Sequence, residues 1–221
     1  ERLIKSVSSM IPVRTIPREF GTVAIYTQNG GQLLDGQVFP LGFEKTPAAT
    51  QSATIENGGL SGLTTSGLTV SIGETSGGLF DGGSLSATFE ARDSEIPRVL
   101  GALDAVAADL MQRTQGLAED TTQPLGAPGL FTDGGAVFNA PNELGAALRL
   151  SLNASVDEAR GGDSARLRDG LGATTPGLEA DGRILRGLQD ALTVPQAIAV
   201  SGLGGASGAS GFAAALSAGL L

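Results

Sequence analysis

The sequence contains no histidine, no cysteine and no tryptophan. Without histidine and cysteine, the chain cannot form zinc or iron–sulfur sites of the usual ligand types, and it cannot form disulfide bonds. Catalytic arrangements that pair serine or cysteine with histidine are excluded as well. We therefore expect a protein without a cofactor, stabilised by packing alone.

Aromatic residues, lysines and long apolar runs are also scarce. Aromatic residues make up 4% of the chain, so the core must rely on leucine, valine, isoleucine and alanine. Lys5 and Lys45 are the only lysines, and the formal net charge is -9. Because an acidic surface repels phosphates, we expect neither nucleic acid nor a membrane as a partner. No apolar run reaches the roughly 18 residues that a membrane-spanning helix needs.

Glycine, by contrast, is abundant, with 34 of the 221 residues, and its excess predicts many turns and short strands. The length fits one or two domains. The sequence starts at Glu1 without a signal-like segment and ends on the apolar pattern GFAAALSAGLL. The expectation from these two ends is a fragment that lacks both termini.

The first 82 residues predict a short helix followed by a β-rich segment. Apolar residues recur at helical spacing before Pro12, which ends the helix. From residue 13 to residue 43, β-prone runs alternate with Asn-Gly and Asp-Gly pairs, a pattern typical of an antiparallel meander. Further short strands are predicted at Ala53–Glu56 and Leu68–Ile72.

A long amphipathic helix is predicted beyond the linker TSGGLFDGG. Leu85 and Phe89 face one way in a first helical piece. Ser94 is expected to cap a second piece over residues 95–113, which is on the order of 28 Å long. The apolar seam of this helix consists of Ile96, Leu100, Leu103, Val106 and Leu110.

The remaining segments predict mixed structure. The stretch LRLSLNASV alternates leucines with polar residues, which indicates a half-buried strand at residues 148–152. Short helices are predicted at Ser164–Gly170 and Gly182–Thr193, and another begins near Phe212 after the flexible stretch SGLGGASGAS.

These patterns predict an α+β fold. We expect a helical, rod-like domain built from sequence-distant helices, in residues 1–12 and 83–221, with a mixed region at about 117–180. A small antiparallel β domain, residues 13–82, is inserted into it. Gly82 and Gly83 return the chain from the strands to the helix.

Acidic side chains are the catalytic candidates that remain. Asp104 and Asp109 could form a carboxylate pair, which glycoside hydrolysis uses without histidine. They fall on or beside the polar face of the predicted helix, so solvated surface acids are the simpler interpretation. The single GGLFDGG segment lacks the tandem copies that calcium-binding repeats need, so no metal is expected.

Two sequence-adjacent ion pairs also attract interest: Arg92 with Asp93, and Arg168 with Asp169. One interpretation is that they lock helix ends against neighbouring segments. The other is exposed charge that contributes about 0–1 kcal/mol. For Arg92 we favour the structural role, because it follows Leu85 on the packed side of the first helical piece.

Four segments of the chain carry a resemblance to a known family. In order, they are IPVRTIPREFGTVAIYTQNGGQLLDG, GGSLSATFEARDSEIPRVLGALDAVAADLMQR, PGLFTDGGAVFNAPNELGAALRLSLNASVD and RLRDGLGA. They resemble the flagellar hook-associated protein 1 family, in its alphaproteobacterial type, over residues 3–221. The most specific residues are Gly82, Gly83, Leu85, Phe89, Arg92 and Asp93, followed by the apolar helix.

The resemblance implies a structural, non-catalytic subunit of the extracellular bacterial flagellum, at the junction between hook and filament. It implies type III export in an unfolded state, assembly into a ring, and contacts with the hook protein and hook-associated protein 3. Export and the contact with an export chaperone depend on the family's terminal regions. We therefore expect a fragment without those regions to be monomeric.

Two other function classes stay open on the sequence. One is another extracellular structural or adhesive subunit, such as a hook, flagellin-like or tail-fibre protein, which predicts a β domain without the long amphipathic helix. The other is a carboxylate-based glycosidase.

Overall fold

The computed structural model describes residues 2–47, 49–66, 68–70, 72 and 77–193, and it confirms a mixed α+β fold. The chain divides into two compact units, residues 1–97 and residues 98–221. The predicted division, with residues 13–82 as an insertion, stays a prediction. The helix expected near Phe212 and the stretch SGLGGASGAS lie outside the described residues.

The first unit begins with the predicted helix and continues into two small antiparallel sheets. Apolar residues at helical spacing form α1, and Pro12 follows its end. The first sheet has the strand order β1-β2-β3-β4, and the second has the order β5-β6-β7. The elements are α1 (Arg2–Met10), β1 (Val13–Pro17), β2 (Val23–Thr27), β3 (Gln32–Asp35), β4 (Gln37–Val38), β5 (Leu41–Gly42), β6 (Leu63–Thr65) and β7 (Leu68–Val70).

The core of the first unit draws on segments that are distant in the sequence. Its buried members are Ile11, Leu63, Phe80 and Phe89. Half-buried aliphatic residues from both sheets pack against these four side chains. Buried apolar surface of this kind contributes roughly 25 cal/mol per Å² to stability, so these contacts join α1, the strands and the following helix into one folded unit.

The helical path from residue 83 to residue 114 is continuous. It comprises α2 (Gly83–Glu90), a π-helical turn at Ala91–Glu95 and α3 (Ile96–Thr114). The prediction that Ser94 caps a separate helix is wrong, because Ser94 lies inside the π-helical turn. Such a turn adds about one residue to the helix.

The second unit packs small elements against one face of α3. Its core contains Ala107, Ala108, Met111, Phe138 and Ala146, with half-buried Phe131 and Leu150 beside them. The small alanines let the neighbouring segments approach α3 closely. The further elements are β8 (Phe131–Asp133), α4 (Ala146–Arg149), β9 (Leu150–Leu152), α5 (Arg166–Asp169) and α6 (Arg183–Thr193), with β8 and β9 paired antiparallel.

Helices α5 and α6 confirm the two short helices that the sequence predicts. The strand predicted over residues 148–152 is shorter than expected, because Leu148 lies in the last turn of α4 and the strand comprises only Leu150–Leu152. Its partner is β8, which comprises Phe131–Asp133.

The strand predicted at Ala53–Glu56 is wrong, since the segment forms turns. The side chain of Asn57 explains the difference. Its Oδ1 accepts hydrogen bonds from the backbone N–H groups of Thr54 and Gly59, both at 2.9 Å, and its Nδ2 donates to the carbonyl of Ser52 at 2.8 Å. Such local bonds satisfy the backbone without a partner strand.

Candidate functional site

The glycine pair that begins α2 lies against the end of α1. Gly82 and Gly83 have φ values of 97° and 74°, in the left-handed region that favours glycine. A Cβ atom on Gly83 would clash with the backbone carbonyl of Met10, and one on Gly82 would lie 3.0 Å from the ring of Pro12. Both backbone conformation and space therefore require glycine where the chain passes from the β-rich segment into α2.

Leu85, Phe89 and Arg92 converge on the core of the first unit. Phe89 is buried, Leu85 is half-buried, and the guanidinium of Arg92 stacks 4.7 Å from the centroid of the Phe89 ring. Phe43 meets the same ring edge-on at a centroid distance of 5.8 Å. The arrangement fixes the orientation of the helix where the π-helical turn begins.

Arg92 also makes polar contacts, both with the adjacent residue Asp93 and with a distant segment. Its Nε and Nη2 donate to the two carboxylate oxygens of Asp93 at 2.5 and 2.9 Å, and its Nη1 donates to the carbonyl of Ser61 at 2.9 Å. The π-helical turn is thereby tied to the segment before β6. These are the contacts that a positioning role for Arg92 needs, although that role stays a prediction.

The apolar seam of α3 is exposed over its first half. Ile96 is 55% exposed, Leu100 is 37% exposed and Leu103 is 44% exposed, while Val106 and Leu110 are half-buried. The first half of this seam is therefore open to solvent in the part of the chain that the structure describes.

The buried part of α3 carries two acids. Asp104 and Asp109 are 3% and 8% exposed, so the interpretation as solvated surface acids is wrong. The carboxylate of Asp104 accepts hydrogen bonds from the backbone N–H groups of Gly145 and Ala147 at 2.8 and 2.9 Å. It thus satisfies donors at the start of α4 that a helix leaves unpaired.

The second acid, Asp109, binds a buried arginine. Its Oδ2 accepts from Nε of Arg113 at 2.6 Å, and Nη1 of Arg113 donates to the carbonyl of Ala191 in the last turn of α6 at 3.0 Å. Because each carboxylate is occupied by a structural partner, Asp104 and Asp109 do not form the open acid pair that glycoside hydrolysis requires.

The fold shifts the pKa of Glu143, which lies close enough to Asp104 to sense its charge. Burial raises the pKa of the Glu143 carboxyl, and the nearby charge of Asp104 raises it further. Over residues 2–47, 49–66, 68–70, 72 and 77–193, no group of three or more acidic side chains is placed to hold a metal ion. In the second sequence-adjacent pair, Arg168 donates to both oxygens of the Asp169 carboxylate at 2.6 and 3.2 Å.

A match to a known protein family identifies the kind of protein. Residues 1–127 match the family model described as the flagellar hook-associated protein FlgK helical domain, which is more than half of the 221-residue chain. The chain belongs to the FlgK family. Neither a curated protein nor a solved structure was found that matches it.

Membership of the FlgK family establishes the broad function. The chain is a structural, non-catalytic protein of the flagellar hook–filament junction, and it works in the extracellular flagellum with other flagellar assembly proteins. The glycosidase and the other extracellular subunits are thereby set aside. Among the helices that the structure describes, none is long and apolar enough to cross a membrane.

Sequence reasoning missed the residues that hold the second unit together. Asp104 and Asp109 gave no sign of burial in the sequence, because acidic side chains on a helix usually face solvent. Their neighbours Ala105, Ala107 and Ala108 carry the available signal. A run of alanines beside a more hydrophobic stripe indicates a second face that packs closely.

Proposed function

We propose that this chain joins the hook protein to hook-associated protein 3, and that copies of it associate in a ring at the hook tip. An export chaperone, bound through the terminal regions of the family, is the further partner. The segments 1–12 and 83–221 serve the flagellar axis in this proposal, and residues 13–82 form the inserted β domain. The protein is of the alphaproteobacterial type, as the four resembling segments suggest.

The exposed seam of α3 is the observation that carries this proposal. Leucine and isoleucine side chains on one helical stripe lose favourable burial when they face water, at roughly 25 cal/mol per Å². Leu100 and Leu103 stay partly open to solvent within the described chain, although Ala107 and Met111, further along the same helix, are fully buried. A subunit that works only inside an assembly has a reason to keep such a stripe available.

Assembly rather than folding is therefore expected to depend on the seam. The test places Leu103→Glu in the full-length gene and introduces it into cells that lack their own copy. Because Leu103 is already 44% exposed, the purified variant should keep the melting temperature of the parent. In cells we expect hooks without attached filaments and flagellin lost to the medium, counted by electron microscopy and immunoblotting.

Leu125→Glu is the matched control, because Leu125 is a leucine of the same unit that is 103% exposed and lies outside the seam. This variant should restore normal filaments. If Leu103→Glu restores them equally well, the seam plays no part in assembly and the proposal fails.

A further inference from the structure

Phe20 is an exposed aromatic residue at the tip of the loop that joins β1 to β2. Its side chain is 98% exposed, and its backbone lies in the left-handed region, with φ 59° and ψ 28°. A residue with a Cβ atom incurs a steric cost there that glycine avoids. An exposed and strained phenylalanine adds nothing to the stability of the folded unit, and strain of this kind concentrates at functional positions.

The loop that carries this side chain is held in one conformation. Nε and Nη2 of Arg18 donate to the carboxylate of Asp35 at 3.2 and 2.6 Å, and the hydroxyl of Tyr26 donates to the same carboxylate at 2.5 Å. Within the loop, the backbone N–H of Arg18 donates to the carbonyl of Thr22 at 2.9 Å. Preorganisation reduces the entropy that a contact would otherwise lose on binding.

A shallow groove of about 570 Å³ lies elsewhere on the same unit, between α1 and β1. Apolar side chains and hydroxyl groups line it together, and one cationic side chain, Lys5, stands among them. The lining residues are Ile4, Lys5, Ser8, Ser9, Val13 and Thr15. Such a mixed lining suits one aromatic ring, whose apolar faces are covered while its edge meets hydroxyl groups.

The charged residue beside Phe20 is opposite in sign to the charged residue in the groove. Glu19 directly precedes Phe20 and is exposed, so a ring inserted into the groove brings a carboxylate near Lys5. Attraction between such rim charges sets the orientation of a contact more than its strength. The side chain of Phe20 is exposed in its own chain, so the groove of that chain does not hold it.

We propose that Phe20 of one copy inserts into the α1–β1 groove of the neighbouring copy. The two surfaces of this contact differ, so it is heterologous, and repetition of a heterologous contact generates a closed ring or a helical array. The inference deepens the proposed function, since it assigns the ring contact to named residues and rests on the ring itself.

Disulfide cross-linking tests the contact directly, because the sequence contains no cysteine of its own. The full-length protein carries Phe20→Cys together with Ser8→Cys, and intact hooks and filaments are isolated from cells and oxidised. We expect a ladder of dimers and larger oligomers on non-reducing gels. The ladder should be absent from either single variant and should disappear on reduction.

The pair Phe20→Cys with Leu68→Cys is the control, since Leu68 is 72% exposed on β7 and lies outside the groove. An equal ladder from this pair, or no ladder from the first pair, overturns the proposal. So does a cross-link from the Phe20→Cys variant to a protein of a different mass, which would assign Phe20 to another flagellar partner.

Phe20→Gly provides a second measurement that separates assembly from folding. Glycine relieves the left-handed strain, so the melting temperature of the purified chain should stay level or rise. Attached filaments should fall about tenfold or more, the loss expected when one hot-spot residue is removed. If filaments stay normal while Leu103→Glu abolishes them, the ring proposal survives and the Phe20 contact is refuted.

Discussion

Asp104 shows how one buried side chain joins two distant segments. Its carboxylate is 3% exposed and receives two backbone N–H groups from the start of α4, which lies about forty residues further along the chain. Hydrogen bonds to a charged group are worth about 1.5–3 kcal/mol each, because the donors would otherwise stay desolvated without a partner. The acid is therefore part of the packing of the second unit.

Replacing this acid should destabilise the second unit. Asp104→Ala leaves the N–H groups of Gly145 and Ala147 without their acceptor, and we expect a loss of about 3 kcal/mol in the free energy of unfolding. Asp104→Asn keeps one acceptor oxygen and should lose less. Urea denaturation measures both, with Asp190→Ala on the exposed side of α6 as the control, expected within about 0.5 kcal/mol of the parent.

Glu143 should make stability depend on pH in a defined direction. Its pKa is raised in the folded chain, first by burial and then by Asp104, so the folded state binds more protons than the unfolded state. Stability should therefore fall as the pH rises from the ordinary glutamate pKa through the raised one.

The variant Glu143→Gln removes that titration. It should be more stable than the parent near pH 7, with a small gain in melting temperature, and the gain should shrink as the pH is lowered to about 4. Thermal unfolding followed by circular dichroism across this range gives the answer. A gain that is constant with pH would show that the charge of Glu143 is not its cause.

Gly83 and Gly101 differ in backbone conformation and in the space available for a side chain. Gly83 has a positive φ and no space for a Cβ atom beside Met10, whereas Gly101 lies within α3 with open space where a Cβ would stand. Gly83→Ala should lower the free energy of unfolding by about 2 kcal/mol or more, because strain and a clash act together. Gly101→Ala should raise it by about 0.5–1 kcal/mol, the gain in helix propensity. Denaturant titration of both variants compares them; a similar loss at both positions would contradict the assigned geometry.

The ion pair of α3 ties that helix to the end of α6. Arg113→Met leaves the buried carboxylate of Asp109 uncompensated and removes the bond to the carbonyl of Ala191, so we expect a loss of about 3–5 kcal/mol. The double variant Arg113→Met with Asp109→Leu removes both charges and should recover most of that loss. Hydrogen exchange should show α6 amides opening more readily in the single variant. If the double variant is no more stable than the single one, the buried charge is not the main cause of the loss.

The helices of this chain were easier to predict than its strands, for physical reasons that particular residues show. Apolar spacing and Pro12 suffice for α1, and α6 shows the same periodicity. The π-helical turn could not be predicted, because Ser94 follows the pattern of a helix cap and the turn contacts Ser61, which is distant in the sequence, through Arg92. The turn at Asn57 depends on side-chain hydrogen bonds that compete with a strand. The burial of Asp104 depends on α4, whose position no local pattern encodes.

On the scale of the whole chain, two separate cores replace the single helical seam that the sequence suggests. Phe89 belongs to the core of the first unit, and Met111 belongs to the core of the second. Each core is completed by residues far away in the sequence, so neither follows from the stripe on α3 alone. Under the proposed function, the exposed first half of the seam is available for assembly, because the two cores are completed by other side chains.

Because the two units have separate cores, a cavity in one core should destabilise that unit and leave the other unchanged. Phe89→Ala should destabilise the first unit by about 3–5 kcal/mol, since it removes a buried ring that packs with Phe43 and Arg92. Hydrogen exchange monitored by mass spectrometry should then show faster exchange in β1–β3, while β8 and β9 keep their protection.

Met111→Ala should destabilise the second unit by about 2–5 kcal/mol, because the side chain of Met111 is fully buried in the other core. Exchange should then be faster in β8 and β9, while β1–β3 keep their protection. Equal loss of protection in both units from either variant would mean that the chain unfolds as one cooperative body.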